Sequence, residues 1–144
     1  MSEKILIVDD ELDMLELLEL IITDRTSYQV VTASNPLEVP ELLEAGGFDL
    51  LISDLRMPQM DGMELLDRAR KIDPQLPYII LTAYGTVESA IEAMRKGALD
   101  YITKPFRQEQ ILLTIEKALK FRRLQKENLA LKNELETLRL KQQG

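Results

Sequence analysis

The sequence predicts an α/β fold built on a doubly wound, five-stranded parallel sheet with helices on both faces. Five short apolar runs alternate with longer stretches of helical period, which is the pattern of consecutive βα units. The runs are almost wholly apolar, as expected for strands that are buried on both faces of a sheet. The last helical stretch continues as a heptad repeat, so we expect the C-terminal helix to extend into a short coiled coil.

The strands are predicted from runs of apolar residues, several of them β-branched, that end at turn-forming residues. They are expected, in chain order, at residues 5–8, 29–33, 50–53, 78–82 and 101–103. In a parallel sheet the carboxyl ends of the strands lie at one edge, and a functional site is expected outside that edge.

The first two helices differ in how clearly they begin. The first is expected at residues 12–23, and its apolar side contains Leu12, Leu15, Leu18, Ile21 and Ile22. The second begins after Ser34-Asn35-Pro36 and ends at Gly46-Gly47. Pro40 lies about one turn inside this helix and removes a helical hydrogen bond, so we expect a ragged or displaced start.

The other three helices have clearer boundaries. The third is expected at residues 62–71, and the fourth begins near Thr86, with acidic residues early and basic residues late as the helix dipole favours. The fifth begins after Pro105, and neither glycine nor proline follows before Gly144. This predicts one continuous helix of about 35 residues, on the order of 50 Å long.

Composition excludes several kinds of site. Cysteine and histidine are absent, which removes disulfides, thiolate and imidazole metal ligands, and histidine-based catalysis. The length suits one compact domain, expected at residues 1–120, with an appended helix at 121–144. Because there is no apolar run of membrane-spanning length and no cleavable signal pattern, we expect a cytoplasmic protein without membrane contact.

Charge is distributed unevenly along the chain. Residues 117–144 contain eight basic and three acidic residues, a net charge of +5, so the total of −7 leaves −12 for residues 1–116. Nucleic-acid phosphates require concentrated positive charge on a protein surface. We therefore expect no direct nucleic-acid binding by the acidic body.

Polar residues stand at the ends of four of the five predicted strands. Asp9 and Asp10 follow the first strand, Asp54 follows the third, Thr82 ends the fourth and Lys104 follows the fifth. A single aspartate after a strand is usually a turn former or a helix cap. Five polar residues that converge on one edge indicate a site instead.

Three carboxylates brought together repel one another unless a cation lies between them. Coordination by oxygen alone favours a hard ion, above all Mg²⁺. Such an ion beside a lysine neutralises charge on a phosphoryl group during its transfer to a carboxylate, for which Asp54 is the candidate nucleophile.

Four separated motifs resemble those of the receiver domain of bacterial two-component response regulators. They are Asp9-Asp10, Asp54-Leu55-Arg56-Met57-Pro58 with Asp61-Gly62, Thr82-Ala83, and Lys104-Pro105-Phe106. The resemblance covers roughly residues 4–120 and implies a flavodoxin-like (βα)5 fold. The run from Thr82 to Ala90 is most similar to receivers of the NtrC type, which regulate transcription with an alternative sigma factor.

The resemblance implies a role for each residue of the site. Asp54 would accept a phosphoryl group from a sensor histidine kinase, while the Thr82 hydroxyl and Lys104 would contact that group. The implied Mg²⁺ ligands are Asp10, Asp54 and the backbone carbonyl of Arg56, with Asp9 acting through water. The protein would then be a phosphoacceptor switch that catalyses only its own phosphorylation and dephosphorylation.

Tyr101 is the implied switch residue. Phosphate on Asp54 would pull Thr82 inward, and Tyr101 would rotate into the space vacated beneath residues 83–86. The surface formed by the fourth helix, fifth strand and fifth helix would be remodelled as a result. The resemblance also implies a cis bond between Lys104 and Pro105. The alternative for Tyr101 is an ordinary edge-strand aromatic with its hydroxyl in water.

The segment after residue 120 has the spacing of a parallel, two-stranded coiled coil. Its a and d positions are Phe121, Leu124, Asn128, Leu131, Leu135 and Leu138. Glu127 and Glu134 at g can pair with Lys132 and Arg139 at e of a second copy, which predicts a homodimer. Leu129 and Leu140 lie off this seam, so a solvated helix, or one packed on its own domain, is the alternative.

In NtrC-type proteins an ATPase domain and a DNA-binding domain follow the receiver, and the sequence contains no phosphate-binding loop of the ATPase kind. We therefore expect either a fragment of a longer regulator or a chain whose output is the dimer itself.

Three other functions compete with this interpretation. An aspartate-based phosphatase would commonly have a second aspartate where Arg56 stands. A basic zipper would use Lys120, Arg122 and Arg123, but the same helix should pack on the sheet through Ile111, Ile115 and Leu119. A receiver-like module that binds partners without phosphorylation would not need an intact five-residue site.

Overall fold

The apolar runs form five parallel strands, and the helical stretches between them return the chain across one or the other face of the sheet. A computed structural model of the chain describes residues 3–143. Met1, Ser2 and Gly144, at the ends of the two predicted segments, lie outside the described residues. The elements are β1 (Lys4–Val8), α1 (Leu12–Arg25), β2 (Gln29–Ala33), a 3₁₀ turn (Pro36–Glu38), α2 (Val39–Ala45), β3 (Leu50–Ser53), α3 (Gly62–Ile72), β4 (Tyr78–Thr82), α4 (Val87–Arg95), β5 (Asp100–Thr103) and α5 (Gln108–Gln143).

The sheet has the strand order β2-β1-β3-β4-β5, and all four pairings are parallel. Val8, the last residue of β1, is paired with Ser53, the last residue of β3. Thr82 and Thr103, the last residues of β4 and β5, are paired in the same way. This register brings the residues that follow the strands to one edge.

The core has two layers, one on each face of the sheet. On one face, apolar residues of β1, β3 and β4 pack with α2, α3 and α4, including Leu43, Leu66 and Ala93. On the other, they pack with α1 and α5, including Leu18 and Ile115. The predicted α/β class, parallel sheet and doubly wound arrangement are confirmed.

Helix α1 differs from its expected packing at one residue. Leu15, Leu18, Ile21 and Ile22 are buried as predicted, but Leu12 is 64% exposed. Leu12 is the first helical residue, and at 3.6 residues per turn it is rotated away from the stripe formed by the other four. The prediction that Leu12 belongs to the buried side is therefore wrong.

The predicted disturbance at the start of the second helix is confirmed. The chain first forms the 3₁₀ turn, in which the Asn35 side chain accepts a hydrogen bond from the backbone N–H of Leu37. Helix α2 then begins at Val39, which leaves Pro40 in its first turn, where a missing N–H costs no helical hydrogen bond.

Helix α5 is a single helix of 36 residues, as predicted. Ile111, Ile115 and Leu119 are buried against the sheet, whereas residues 127–142 are all exposed. Within residues 3–143, none of the helices combines the length and the apolar character that a membrane span requires.

Candidate functional site

Backbone hydrogen bonds align the residues that follow the strands at the carboxyl edge of the sheet. The backbone N–H of Asp54 donates to the carbonyl of Val8 (3.0 Å), so Asp54 leaves β3 beside the end of β1. The N–H of Lys104 donates to the carbonyl of Thr82 (2.8 Å), which places Lys104 beside the end of β4. The strand register thus positions residues that are far apart in the chain.

Three of these residues form a cluster of carboxylates. Asp9, Asp10 and Asp54 each contribute one oxygen to a group in which all the oxygens lie within 4.8 Å of one another. Asp9 and Asp54 are buried, at 2% exposure each, while Asp10 is exposed. The cluster is therefore open to solvent on the side of Asp10.

Lys104 connects the two buried carboxylates. Its Nζ lies 2.9 Å from Asp9 Oδ2 and 3.3 Å from Asp54 Oδ2, and its side chain is only 10% exposed. The bond between Lys104 and Pro105 is cis, as expected. One ammonium among three carboxyl groups does not balance their charge, so the site is acidic overall.

Burial and charge act in opposite directions at this site. Burial raises the pKa of Asp9 above its ordinary value, and the hydrogen bonds from Glu11 and Lys104 only partly offset that rise. Burial alone would lower the pKa of Lys104, but Asp9 and Asp54 outweigh it, so the pKa of Lys104 is raised and the side chain is cationic. The site holds a permanent positive charge beside Asp54.

Asp54 has one of its two carboxylate oxygens fixed by its own loop. Oδ1 accepts a hydrogen bond from the backbone N–H of Leu55 (2.6 Å), which leaves Oδ2 on the side of Lys104. Gly62, at the start of α3, packs against this turn, and a Cβ there would overlap the carbonyl oxygen of Asp54. Gly62 is thus needed for close packing of α3 on the loop that carries Asp54, and the Asp61 side chain caps the helix by accepting from the backbone N–H of Glu64 (2.8 Å).

The residues of the cluster fit a Mg²⁺ ion. Their donors are hard carboxylate oxygens, they carry excess negative charge, and the exposed Asp10 leaves room for water ligands. Arg56 lies two residues after Asp54, and its exposed guanidinium is stacked 5.0 Å from the centroid of the Tyr84 ring. The expected use of the Arg56 backbone carbonyl as a ligand stays a prediction.

Thr82 is fully buried at the end of β4. Its Oγ1 accepts a hydrogen bond from the backbone N–H of Tyr84 (3.1 Å), which closes the first turn of the loop toward α4. Thr82 is therefore the last residue of the strand that borders the site, and its side chain holds the start of the loop that leads to α4.

Tyr101 is half-buried, and its hydroxyl is not left to water as the alternative interpretation expected. The hydroxyl oxygen lies 2.6 Å from Oγ of Ser89 in α4. Sequence reasoning did not identify Ser89 or the stacking of Tyr84 on Arg56. The Thr86-x-x-Ser89 spacing of a capping box is a detectable signal for Ser89, but nothing local to Tyr84 indicates its partner.

Comparisons with known proteins agree with this arrangement. A family model described as the response regulator receiver domain matches residues 5–116. The transcriptional regulatory protein ZraR of Klebsiella oxytoca is 38% identical over 120 residues, 83% of this chain and 27% of the relative. The response regulator protein PilR of Pseudomonas aeruginosa is 37% identical over 133 residues, 92% of this chain and 30% of the relative.

A solved structure shows the same fold. The response regulator receiver domain protein (CheY-like) from Methanospirillum hungatei has a TM-score of 0.82 at 30% identity, and the match covers 87% of this chain and 99% of that one. The chain spans 27% to 30% of the length of ZraR and PilR, and the expected similarity to regulators of the NtrC type is confirmed by these relatives. With the family model matched over residues 5–116 on this fold, the chain belongs to the response regulator receiver domain family.

Proposed function

We propose that Asp54 is the phosphoacceptor of a two-component phosphorelay and takes its phosphoryl group from a sensor histidine kinase. The observation that carries this proposal is the position of Asp54: it is buried at the end of β3, within hydrogen-bonding distance of Lys104 and clustered with two further carboxylates. A buried carboxylate with a fixed cation beside it is oriented and electrostatically prepared to receive a phosphoryl group.

In the reaction, an oxygen of Asp54 attacks phosphorus, and the bond from phosphorus to the donor breaks. The electron pair of that bond leaves with the donor, which is the phosphohistidine nitrogen of the kinase or an oxygen of a small phosphodonor. Lys104 neutralises negative charge on the phosphoryl oxygens, and the hydroxyl of Thr82 donates a hydrogen bond to one of them. Water later cleaves the acyl phosphate and restores Asp54.

We assign the metal ligands as Asp10, Asp54 and the backbone carbonyl of Arg56, with Asp9 contributing through water. Bound there, Mg²⁺ would neutralise charge on the phosphoryl oxygens during transfer. The residues of the chain do the rest: Asp9 holds Lys104 in place through a 2.9 Å ion pair, and the Leu55 N–H fixes the carboxylate of Asp54.

The direct test is phosphorylation by acetyl phosphate with Mg²⁺, followed by the intact mass of the chain. We expect one added phosphoryl group, which disappears in Asp54→Asn and is retained in Asp67→Asn, an exposed aspartate of α3. A chain that gains no adduct, or one that gains the same adduct in Asp54→Asn, would exclude phosphorylation at Asp54 and favour the module that binds partners without it.

The output surface is proposed to consist of α4, β5 and α5. Phosphate on Asp54 would draw the Thr82 hydroxyl toward the site and break its 3.1 Å contact with Tyr84, which would move the loop at residues 83–86. Tyr101, next to this loop, would change position with it. The remodelled surface then carries the signal to α5 and to transcription.

We also propose that two copies form a parallel coiled coil through α5. The five apolar residues of the predicted a and d positions are between 43% and 62% exposed: Phe121, Leu124, Leu131, Leu135 and Leu138. The residues of this segment that form ion pairs with the body of the chain, Arg122, Arg123 and Lys126, occupy heptad positions b, c and f. These ion pairs therefore leave the part of the seam from Leu124 onward, with Asn128 at its a position, exposed to a second copy.

The dimer is tested by the mass of the chain in solution across micromolar concentrations. Leu131→Glu, on the seam, should give monomers, because it places a charge in the coil interface. Leu129→Glu is the matched control, since Leu129 lies off the seam and is similarly exposed, at 48% against 56% for Leu131. An intact chain that is monomeric throughout, or two variants with equal effects, would rule out this seam.

The length of the relatives supports a larger protein. Because the chain spans 27% of ZraR and 30% of PilR, we propose that it is the receiver part of a regulator whose ATPase and DNA-binding domains lie elsewhere. Arg122 and Arg123 are engaged with Asp73 and Glu3, which argues against the basic zipper and supports the expectation of no direct nucleic-acid contact.

A further inference from the structure

The core beneath α3 contains a fully buried tyrosine whose hydroxyl is bonded to the start of that helix. Tyr78, the first residue of β4, is 1% exposed and belongs to the same core layer as Leu66 and Ala69 of α3. Its hydroxyl donates to the backbone carbonyl of Gly62 (2.9 Å). A hydroxyl that is buried without a partner costs free energy, so this bond offsets the cost of placing a tyrosine here.

Tyr78 connects the two edges of the sheet. Its backbone lies at the amino edge, where β4 begins, while Gly62 is the first residue of α3 and packs against Asp54 at the carboxyl edge. Helical carbonyl groups point toward the C-terminus of the helix, and α3 runs back between two parallel strands, so the Gly62 carbonyl points toward the amino edge. The tyrosine side chain meets this carbonyl with a hydroxyl at the far end of a rigid ring.

The hydroxyl of Tyr78 is a permanent donor. Burial raises the pKa of Tyr78 above its ordinary value, so the hydroxyl keeps its proton. A carbonyl oxygen can only accept, and the direction of the bond to Gly62 is therefore fixed. Phenylalanine at position 78 would fill nearly the same space and offer no donor.

Gly62 holds the loop that carries Asp54. Its backbone N–H donates to the carbonyl of Leu55 (2.7 Å), which closes the loop at residues 55–62. A Cβ at Gly62 would overlap the carbonyl oxygen of Asp54, so Gly62 lies directly against the residue proposed to accept phosphate. The same Asp54 carbonyl accepts from Oγ of Ser53 (2.7 Å). The carbonyl of Gly62 is thus the point at which Tyr78 acts on this loop.

The loop between Asp54 and Gly62 contains a residue in an unfavourable backbone conformation. Gln59 has a φ of 74°, in the left-handed region that residues other than glycine seldom adopt. Such a conformation persists only where the surrounding structure fixes it. Arg56, whose carbonyl is a proposed metal ligand, lies in the same loop, so its position depends on the contacts that close the loop at Gly62.

We propose that Tyr78 is a positioning residue for the metal site: its bond to Gly62 fixes the loop at residues 54–62 and thereby raises the affinity of the site for a divalent cation. The inference rests on the proposed function for the ligands of that cation, whereas the bond itself belongs to the fold of the metal-free chain. Without the hydroxyl, the loop samples more positions, and binding of the cation has to order it, which lowers the affinity.

The test is a titration of the chain with magnesium chloride, followed by the NMR signals of the backbone amides between residues 53 and 62. Tyr78→Phe removes only the hydroxyl. We expect the dissociation constant for Mg²⁺ to rise about threefold, which is part of the roughly fivefold change that one ordinary hydrogen bond can produce. A dissociation constant equal to that of the intact chain would overturn the proposal.

Ile80→Val is the matched control, because it lowers stability without removing a donor. Ile80 is fully buried two residues further along β4, in the same core layer, and the substitution removes one methylene. Both variants should unfold at a lower urea concentration than the intact chain, but Ile80→Val should leave the dissociation constant for Mg²⁺ unchanged. Equal rises in the two variants would mean that metal affinity follows the stability of the core, and would contradict a role for the hydroxyl.

Amide hydrogen exchange without Mg²⁺ tests the bond independently of the metal. The N–H of Gly62 is bonded to the Leu55 carbonyl, and we expect it to exchange about threefold faster, relative to Ile7 in β1, in Tyr78→Phe. An unchanged ratio would overturn the role of Tyr78 in the loop. If the intact chain does not bind Mg²⁺, the proposed metal ligands are refuted, and the exchange ratio still decides whether Tyr78 fixes the loop.

Phosphorylation by acetyl phosphate separates metal affinity from an effect on the reacting groups. We expect Tyr78→Phe to react more slowly than the intact chain at limiting Mg²⁺ and at the same rate at saturating Mg²⁺, because the variant keeps every group that contacts the phosphoryl oxygens. A rate that stays low at saturating Mg²⁺ would show that the hydroxyl acts on the Asp54 carboxylate instead, and would overturn its assignment to metal binding.

Discussion

The two edges of the sheet combine acidic and basic residues in opposite proportions. At the carboxyl edge, three aspartates have one lysine between them, and its Nζ lies 2.9 Å from Asp9 and 3.3 Å from Asp54. At the amino edge, where the strands begin, three acidic residues each have a cation of their own. The pairs are Arg122 with Asp73, Arg123 with Glu3, and Lys126 with Asp49, at 2.7 to 2.8 Å. The first edge retains unbalanced charge that can bind a cation, and the second is neutralised within the chain.

All three cations of the amino edge belong to α5. Arg122 is buried at 8% exposure, and its Nη2 donates to Asp73 Oδ2 (2.8 Å). Arg123 and Lys126 bind at the surface. The predicted boundary between receiver and linker at residue 120 therefore falls inside a helix that still contacts the body at residues 122–126, and α5 is joined to the edge opposite the site.

The largest expected effect is the loss of the buried pair at the amino edge. Asp73→Asn keeps the size of the side chain but leaves the Arg122 guanidinium without its counter-charge. We expect the free energy of unfolding in urea to fall by about 2 kcal/mol, somewhat less than for a fully buried pair, because the Asp73 side chain is 34% exposed. Asp67→Asn, whose pair with Lys96 is more exposed, should cost clearly less. Equal losses in the two variants would show that burial of Arg122 does not increase the stability that its pair with Asp73 contributes.

Mg²⁺ should stabilise the folded chain by binding at the carboxyl edge and not at the amino edge. For a ligand that binds only the folded chain, a concentration ten times its dissociation constant adds about 1.4 kcal/mol to the free energy of unfolding. We expect this gain in the intact chain and in Asp73→Asn, measured by urea unfolding with and without Mg²⁺. Asp10→Asn should lose most of it. A gain of the same size in Asp10→Asn would show that Asp10 is not a metal ligand.

Removal of a site aspartate should stabilise the metal-free chain, which is the reverse of the effect at Asp73. Asp54→Asn relieves repulsion within the cluster and leaves Lys104 paired with Asp9. We expect a gain of about 1 kcal/mol in the free energy of unfolding without Mg²⁺. A loss at Asp54→Asn comparable to that at Asp73→Asn would mean that the two edges do not differ in the way their charges suggest.

The carboxyl edge was the more predictable of the two from sequence. Asp9, Asp54 and Lys104 directly follow apolar runs, and the parallel register then leaves little choice about where they meet. The strands and the single long α5 followed from equally local patterns of apolar spacing and from the absence of helix breakers. The roles of Asp9, Asp54 and Lys104 in phosphoryl transfer are proposals, because the fold alone does not assign them.

The amino edge could not be predicted, because its partners have no local signature. Arg122 appears in the sequence as part of a basic cluster at a heptad position that normally faces water, yet it is buried against Asp73, 49 residues earlier. The prediction for Leu12 was wrong in the opposite sense, because this apolar residue at a helix start is exposed. The burial of Arg122 depends on how α5 packs on the body, which residue spacing within one element does not encode, whereas the exposure of Leu12 follows from its rotation away from the buried stripe of α1.

The smallest expected effect is the change of stability with pH at the amino edge. Its sign should be opposite to that of the change at the carboxyl edge. Burial would raise the pKa of Asp49, but the hydrogen bonds from Lys126 and the Lys4 N–H outweigh it and hold the pKa below its ordinary value of 3.8. A carboxyl with a lowered folded pKa stabilises the fold above its unfolded pKa, and that stability is lost as the pH falls through the folded pKa.

The intact chain should therefore exceed Asp49→Asn by roughly 0.5 kcal/mol near neutral pH, a small value because the Lys126 side chain is 57% exposed. The difference should shrink below about pH 4. Asp9 without Mg²⁺ should behave in the reverse way, since burial raises its pKa and its ionisation costs stability as the pH rises. Urea unfolding of the intact chain, Asp49→Asn and Asp9→Asn across this pH range measures both slopes. Slopes of the same sign would contradict the difference in charge balance from which all four predictions start.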